Sequence, residues 1–461
     1  MAFISLKFVI FFLLVLLGLG VARSRHLRHW LLLIASAYFY FTWKHAYLLV
    51  LATPIAIDYF CGIRIEESRE PRARKGWLWA AVASNLLLLG YFKYANFLVG
   101  PIALPLGISF FTFKALSYVI DIYRGELAAC RSLLPFATYM SYFPDLPAGP
   151  IVRASVFLPQ MARSLRPAWP RVVVGFQMIL LGLTKKLLIA DQMAIFADPV
   201  FAEPGVYSPL TVWSAVIAYS LQIYCDFSGY SDMAIGMSNI IGIDLPENFN
   251  MPYLALSPIE FWRRWHITLT RWLRDYLYFS LPGLRGSRWR RYRNAGITAL
   301  LGGLWHGAGW TFVVWGGLHG LAVGANHWWR ARRERLGRAP GSSFGIRAAC
   351  WLATYLFVCI TWVLFRSRSF TIAAVVLEKM AGFAPGGIEW FYSPFAMVLP
   401  LVIGGHIVGI MAARRPSNSI SGVYALLPLP GFAGAFLATC WILALLLFGA
   451  TGAHPFIYFQ F

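Results

Sequence analysis

The stretch Gly345–Leu364, GIRAACWLATYLFVCITWVL, is apolar except for Arg347 and has the roughly 17–25 residues that a helix needs to cross a bilayer. Similar runs occur at Phe3–Val21 and Val423–Leu447. Of the 461 residues, 59% are hydrophobic and 13% are charged, about half the charged share of a soluble domain. The sequence therefore predicts an all-α integral membrane protein with about 10–12 transmembrane or re-entrant helices.

The basic residues indicate how such a protein would be oriented. The formal net charge is +21, and basic residues fill short loops between apolar runs, as at Arg23–His29 and Arg64–Lys75. Anionic lipid headgroups of the bilayer are therefore the expected partner of this charge, and nucleic acid is not. Because the first run has almost no basic residues before it and no clear cleavage site before the arginines that follow it, we predict a retained span, not a removed signal peptide.

Polar residues enter the apolar pattern after the first spans. Lys114, Asp145 and Asp226 are examples, and such residues in a membrane usually face a bundle interior or a watery cavity. The prolines and glycines of FPDLPAGP (143–150) break helical hydrogen bonding, which requires cover by protein or a cavity. We predict one domain over 1–461, and its parts are N-terminal spans (1–103), a catalytic core (104–330) and C-terminal spans (331–461).

Residues 258–280 have the pattern of one amphipathic helix that is too charged to span the membrane. Arginines 263, 271 and 274 fall opposite an apolar stripe, and His266 falls near the border between the two faces. The stripe consists of Trp262, Trp265, Leu269, Trp272, Tyr276 and Phe279. The segment could be a peripheral anchor, or its arginine face could bind a phosphate-bearing substrate such as a coenzyme A ester.

A glycine-rich apolar segment, 294–326, contains His306 and His319. A histidine in such a span is a candidate functional residue, although a lone one is more often satisfied by a neighbouring helix. On one straight helix the two would lie on different sides, so they would not readily share a site. The local sequence does not choose between them.

Two further segments have possible chemical roles. The polar residues of 224–250, Asp226 among them, could orient a histidine or stabilise a helix break. The chain ends in the aromatic tail PFIYFQF. No nucleophile elbow, Walker A motif, H-E-x-x-H motif or Cys/His metal cluster occurs, so no metal is expected. These residues and absent motifs fit a histidine that acts as a general base for the attack of a hydroxyl on an acyl donor.

The middle of the chain resembles the membrane-bound O-acyltransferases, in particular their bacterial alginate O-acetylase branch. The matching segments are LPLGISFFTFKALSYVIDIYRG (104–125), YFPDLPAGPIVR (142–153), YCDFSGYSDMAIG (224–236), LPENFNMPYLALSPIEFWRRWHITLTRWLRDYLY (245–278), LLGGLWHGAGWTFVVWGGLHG (300–320) and HPFIYFQF (454–461). The resemblance implies a ring of tilted helices around a central tunnel, with donor and acceptor entering from opposite faces.

The resemblance also implies roles for the histidines. The histidine of the L-W-H-G motif, here His306, is the catalytic residue, and His266 has a positioning role. His319 has no catalytic part. Related sequences often read Y-F-P-Q-L-I-A-G-P where this chain has Asp145 and Pro147, which leaves the choice of acceptor or partner open.

The mechanism that this resemblance suggests begins with acetyl-CoA, or another short acyl-CoA, as a cytoplasmic donor substrate, with no bound cofactor. His306 is the expected general base, and His266 hydrogen-bonds the acceptor or the developing oxyanion. The terminal Tyr458 is a candidate transient acyl carrier. The residues expected to bind substrate are Arg263, Arg264, Arg271, Trp305 and Asp226.

The expected acceptor is an extracytoplasmic polysaccharide, reached with the help of a periplasmic acetyltransferase partner. The expected location is the bacterial inner membrane, which the chain would cross several times. Acylation of a lipid or a protein hydroxyl is the alternative within the enzyme class. Outside it, a transporter or a non-catalytic scaffold remains open, although the chain lacks the repeated halves that many transporters have.

Overall fold

A computed structural model of the chain describes residues 3–94, 103–163, 165, 168–283, 287–337, 343–413, 432–450 and 456–457. These residues belong to two compact units, Met1–Leu181 with Tyr230–Glu247, and Gly182–Gly229 with Asn248–Phe461. Within the described ranges the secondary structure is helical, apart from an isolated β-bridge between Tyr207 and Ile388. The expected all-α fold is confirmed, and the single-domain organisation stays a prediction.

The first unit is built from helices of the N-terminal part of the chain. They are α1 (Leu6–Val21), α2 (Arg25–Phe41), α3 (Tyr47–Glu67), α4 (Pro71–Tyr94), α5 (Ile108–Arg124), α6 (Leu133–Ser141), α7 (Ala154–Met161) and most of α8 (Trp169–Leu183). The end of α10 (Pro209–Ile241) also belongs to this unit.

The second unit contains the remaining helices. Its α-helices are α9 (Asp191–Ala202), most of α10, α11 (Pro258–Arg264), α12 (Ile267–Trp272), α13 (Arg288–His306), α14 (Trp310–Arg335), α15 (Phe344–Arg366), α16 (Phe370–Met380), α17 (Ser393–Ala413) and α18 (Phe432–Phe448). Its π-helical turns are Thr184–Ala190 and Leu273–Leu277, and its 3₁₀ turns are Pro204–Val206, Pro252–Leu254 and Tyr278–Ser280.

Helices long and apolar enough to cross a membrane are present in the described residues. Three meet both criteria, Tyr47–Glu67, Trp169–Ala202 and Phe344–Arg366, with mean hydropathies of 1.7, 1.8 and 2.0. Shorter apolar helices occur at Leu6–Val21, Ser393–Ile407 and Gly434–Phe448. The predicted span Gly345–Leu364 corresponds to α15. Of the predicted span Val423–Leu447, residues 423–431 lie outside the described residues.

The first predicted span begins slightly later than its apolar run. Ser5 lies outside α1, and its hydroxyl accepts a hydrogen bond of 3.2 Å from the amide of Phe8. A serine in this position satisfies an amide that has no partner inside the helix, so the helix begins at Leu6 instead of Phe3.

In the first unit, residues 142–152 form a non-helical segment whose side chains are almost all buried. Gly107 approaches this segment with a φ of 69°, and a Cβ on it would lie 2.0 Å from the carbonyl oxygen of Leu146. Only glycine fits this approach. The helix break expected at 143–150 is therefore present, and protein covers it, as an irregular backbone in a membrane requires.

A buried ion pair stabilises the same segment. Lys114 on α5 places its Nζ 3.1 and 3.0 Å from the two carboxylate oxygens of Asp145, and both side chains are almost fully buried. The ammonium also lies over the ring of Tyr139, 4.7 Å from its centre. Asp145 is thus the partner of Lys114, which gives this departure from the family pattern a structural explanation.

Breaking this pair should destabilise the first unit strongly. Asp145→Ala leaves the Lys114 ammonium buried without its carboxylate, which should lower the free energy of unfolding by about 3–5 kcal/mol. The double variant Lys114→Met/Asp145→Leu removes both charges and should recover most of that loss. Thermal unfolding in detergent measures both effects.

The exposed pair Arg131–Glu67 is the control, with Nη1 and Oε1 2.6 Å apart. Its Glu67→Ala variant should lower the melting temperature far less than Asp145→Ala does, because solvent screens the pair. Equal losses for Asp145→Ala and Glu67→Ala would contradict the role assigned to Asp145.

Candidate active site

The candidate site begins at a break in the chain at His266. The single helix predicted over 258–280 is wrong: α11 ends at Arg264 and α12 begins at Ile267. His266 between them has a φ of 41°, a conformation that costs a non-glycine residue about 1–3 kcal/mol. The prediction that His266 lies at the border of the arginine face is also wrong, since its exposed fraction is 0%.

Residues 248–250 stabilise the break at His266, and the amphipathic pattern of the sequence does not predict this contact. The amide of Ile267 donates to the carbonyl oxygen of Asn248 at 2.9 Å, and the amide of Asn250 donates to the carbonyl oxygen of Arg264 at 2.9 Å. These bonds replace helical hydrogen bonds that a continuous helix would make. The backbone turns at His266 because the segment 248–250 offers it other partners.

The side chain of Asn248 fixes the tautomer of His266. The Thr268 hydroxyl and amide donate to Oδ1 of Asn248 at 2.9 and 3.4 Å, so this atom is the amide oxygen. Nδ1 of His266 lies 3.0 Å from the same oxygen and must therefore carry the proton. Burial lowers the pKa of His266 to about 3. The ring is thus neutral, and Nε2 has the lone pair.

His306 is the last residue of α13 and is buried, with an exposed fraction of 6%. Its ring meets three aromatic side chains, with centroids 4.8 Å from Trp305, 5.2 Å from Trp315 and 5.2 Å from Phe365. The helix ends here because the backbone is extended at Gly307. His306 therefore lies at a helix end inside an aromatic pocket.

The structure brings the two expected histidines together around one indole ring. The ring of Trp305 lies 4.8 Å from that of His306 and 6.4 Å from that of His266. Phe227 contacts His266 edge-on at 4.7 Å. The two imidazoles thus share Trp305 as a common wall, although their positions in the sequence do not indicate this.

His319 differs from His266 and His306 in its hydrogen bonds. The indole N–H of Trp262 donates to Nδ1 of His319 at 3.2 Å, and Nε2 lies 3.0 Å from the Thr361 hydroxyl oxygen. Since Nδ1 accepts, Nε2 donates, and neither nitrogen is left for proton transfer. The assumption of one straight helix through both histidines was wrong, because α13 ends at His306 and α14 begins at Trp310.

Glycines allow α13 and α14 to pack closely as an antiparallel pair. A Cβ on Gly303 would lie 2.3 Å from the carbonyl oxygen of Phe312, and one on Gly316 would lie 2.4 Å from that of Ala299. The two backbones thus nearly touch, as small residues permit in membrane helix pairs. This contact fixes the end of α13, and with it the position of His306.

The predicted substrate arginines have different surroundings. Arg263 and Arg271 are exposed, whereas Arg264 donates to the carboxylate of Glu260 at 3.0 and 2.8 Å. A cluster of arginines also forms around His327. Burial lowers the pKa of His327, and three nearby guanidinium groups lower it further, those of Arg330, Arg263 and Arg291.

Asp226 is buried and bound by other parts of the protein. Its Oδ1 lies 2.7 Å from the Nζ of Lys186, and its Oδ2 accepts the amide N–H of Ile457 at 2.6 Å. Its expected role in binding substrate stays a prediction. Tyr458 lies outside the described residues.

Sequence reasoning missed the residues that shape the pocket around the histidines. Asn248, Phe227 and Phe365 contact them. Asn248 and Phe227 are within quoted motifs, but no spacing rule connects either to His266.

A methyl group added at the close contact of α13 and α14 should destabilise the protein. Gly316→Ala places a methyl group against the backbone of α13 and should lower the stability by about 1–3 kcal/mol. Gly324→Ala on the same helix is the matched control, because nothing lies within 4 Å of its added Cβ. Gly324→Ala should leave the free energy of unfolding unchanged or raise it by up to about 1 kcal/mol. Thermal unfolding in detergent compares them, and equal behaviour would contradict the close packing.

Comparison with known proteins shows the family of the chain. The family model described as MBOAT, membrane-bound O-acyltransferase family, matches residues 5–367. A relative named "Probable alginate O-acetylase AlgI" from Pseudomonas aeruginosa is 41% identical over 403 residues, which are 83% of this chain and 75% of the relative. A peptidoglycan O-acetyltransferase from Helicobacter pylori is 36% identical, over 76% of this chain and 73% of the relative.

A more distant relative, a teichoic acid D-alanyltransferase from Bacillus subtilis, is 26% identical over 58% of this chain and 69% of its own length. The family match includes both histidine segments and the helices that hold them. The chain is therefore a multi-pass membrane protein and belongs to the membrane-bound O-acyltransferase family of acyltransferases.

Proposed function

We propose that this protein transfers an acetyl group from cytoplasmic acetyl-CoA, or another short acyl group from its CoA ester, for O-acetylation of an extracytoplasmic polysaccharide. Two relatives support this choice, because their names specify alginate and peptidoglycan as the polymers that they acetylate. The protein resides in the bacterial inner membrane, and a periplasmic acetyltransferase partner completes transfer to the polymer.

The arrangement of His306, Trp305 and His266 supports this proposal most directly. His306 is the general base: it takes the proton of the acceptor hydroxyl while the hydroxyl oxygen attacks the thioester carbonyl. The carbon–sulfur bond then breaks, and the CoA thiolate leaves with the proton returned from His306. The aromatic pocket around His306 keeps bulk water away from this step.

The helix end favours the same assignment for His306. The last carbonyl groups of an α-helix have no partner inside the helix and carry partial negative charge. His306 is the final residue of α13, so these carbonyls stabilise the imidazolium that forms when it accepts a proton. A base at this position gains stabilisation in the transition state, when its positive charge develops.

His266 has the complementary role of holding the acceptor through a hydroxyl other than the reacting one, because the reacting hydroxyl gives its single proton to His306. Its Nδ1–H is committed to Asn248, and its ring is neutral, so Nε2 can accept a hydrogen bond but not donate one. Of the two roles expected from the sequence, this favours orientation of the acceptor over stabilisation of the oxyanion. Trp305, in contact with both rings, forms the wall against which the acyl group packs.

Arginines bind the phosphates of the donor. Arg263 is the strongest candidate of the three predicted residues, because Arg291 and Arg330 lie near it around His327. Arg264 contributes less, since Glu260 already offsets its charge, and Arg271 adds an exposed charge on α12. Guanidinium groups bind phosphate oxygens with paired N–H donors. Tyr458 remains the candidate acyl carrier.

Replacing His306 should remove nearly all activity without unfolding the protein. His306→Ala should lower the turnover number about 10²–10⁴-fold, the usual contribution of a general base. His266→Ala should lower it less, because it removes orientation and not the base. Cleavage of radiolabelled acetyl-CoA by purified protein in detergent measures both, with thermal unfolding as a check on folding.

His319→Gln is the matched control, a buried histidine of the second unit whose two nitrogens are already hydrogen-bonded. Corrected for folded protein, its turnover should stay close to that of the wild type. Wild-type turnover in His306→Ala, or an equal loss in His319→Gln, would rule out His306 as the base.

The phosphate role of Arg263 can be separated from catalysis with a shortened donor. Arg263→Glu should raise KM for acetyl-CoA about 10–100-fold, since hydrogen bonds to charged groups contribute about 1.5–3 kcal/mol. It should leave KM for S-acetyl-pantetheine, which has no phosphates, nearly unchanged. Arg347→Glu, another exposed arginine, is the control. An equal change in KM for both donors would refute the phosphate role.

A further inference from the structure

Three buried charges form a cluster in the second unit. The Nζ of Lys186 lies 2.8 Å from a carboxylate oxygen of Asp191 and 2.7 Å from one of Asp226, and all three side chains are buried. A buried charge is tolerated only with close partners. The two carboxylates contact the same ammonium, and a carboxylate is a strong acceptor of hydrogen bonds.

Asp226 accepts a hydrogen bond from the C-terminal segment, Phe456–Ile457. Its Oδ2 accepts the backbone N–H of Ile457 at 2.6 Å, across a separation of 231 positions in the sequence. Ile457 and the preceding Phe456 are both buried. A buried carboxylate therefore bonds directly to the backbone near the end of the chain.

The same segment reaches the wall of the histidine pocket. The ring of Phe456 lies 6.1 Å from that of Phe227, the residue that follows Asp226. The ring of Phe227 in turn contacts His266 edge-on at 4.7 Å. Asp226 and Phe227 thus bind adjacent residues of the C-terminal segment, one by its carboxylate and one by its ring.

We propose that Asp226, held by Lys186, is a positioning residue that fixes Phe456–Ile457 against Phe227 and thereby keeps His266 in place for acyl transfer. The contribution to transfer rests on the function proposed above. This role differs from substrate binding, because both carboxylate oxygens contact the protein. It also makes the C-terminal segment, whose next residue is Tyr458, a part of the active site.

Variants of Asp191 test whether Asp226 positions the C-terminal segment or only balances the charge of Lys186. It shares Lys186 with Asp226, but the bond to Ile457 is made by Asp226. If the cluster only neutralises Lys186, loss of either carboxylate should have similar effects. If Asp226 positions the C-terminal segment, Asp226→Ala should release it and Asp191→Asn should not.

Hydrogen exchange of the full-length protein tests the anchoring without any assay of activity. The amide of Ile457 should be protected in the wild type and in Asp191→Asn, and it should exchange at least about tenfold faster in Asp226→Ala. Asp226→Asn retains an oxygen acceptor and should be intermediate. An unprotected amide in the wild type, or equal protection in Asp226→Ala, would overturn the anchoring even if the protein had no transferase activity.

A double-mutant cycle tests the link to acyl transfer. Ile457→Pro removes the N–H donor, and Ile457→Leu keeps it with a similar side chain. Asp226→Ala and Ile457→Pro should each lower the turnover number about 10–100-fold, and the double variant should fall no further, because both remove one interaction. Ile457→Leu should stay near the wild type.

Additive losses in the cycle would overturn the proposal, since Asp226 would then act independently of the C-terminal segment. If the Ile457 amide exchanges rapidly in Asp226→Ala but turnover stays at the wild-type level, the contribution of Asp226 to acyl transfer is overturned. A wild-type protein that cleaves no acyl donor would instead refute the proposed function, and the exchange measurement would still decide the anchoring.

Discussion

The cost of an unpaired backbone amide or carbonyl in an apolar environment constrains this whole molecule. A chain that spans lipid satisfies these groups within helices, and it departs from helix only where other protein groups replace the lost bonds. Both major breaks described here obey that rule. In the first unit, 142–152 is buried beside the Lys114–Asp145 pair. In the second, Asn248 and Asn250 bond to the backbone around His266.

The second break matters for the proposed chemistry because irregular backbone directs side chains where a helix cannot. In a continuous helix His266 would lie near the arginine face. The left-handed conformation at His266 turns the ring into the core instead, where Asn248 holds its Nδ1–H. The strain at this residue is offset by three hydrogen bonds to Asn248 and Asn250, so the local cost serves the orientation of one imidazole.

Hydropathy and motif patterns predicted much of the fold and part of the site. The all-α fold, the span now seen as α15 and the family were accessible because they depend on local composition and on long matching segments. The break at His266 was not, since amphipathic periodicity continues through it. The contacts His266–Asn248 and Asp226–Ile457 join distant positions, and composition contains no signal for such pairs.

The two histidines occupy opposite ends of helices, and this difference separates their roles better than their motifs do. His306 ends α13, where the negative end of the helix dipole stabilises a positive ring. His266 precedes α12, and burial lowers its pKa to about 3. A base must become cationic during transfer, whereas a residue that orients a hydroxyl must stay neutral. In the proposed mechanism each ring has the surroundings that its task requires, and Trp305, in contact with both rings, allows them to act on one substrate.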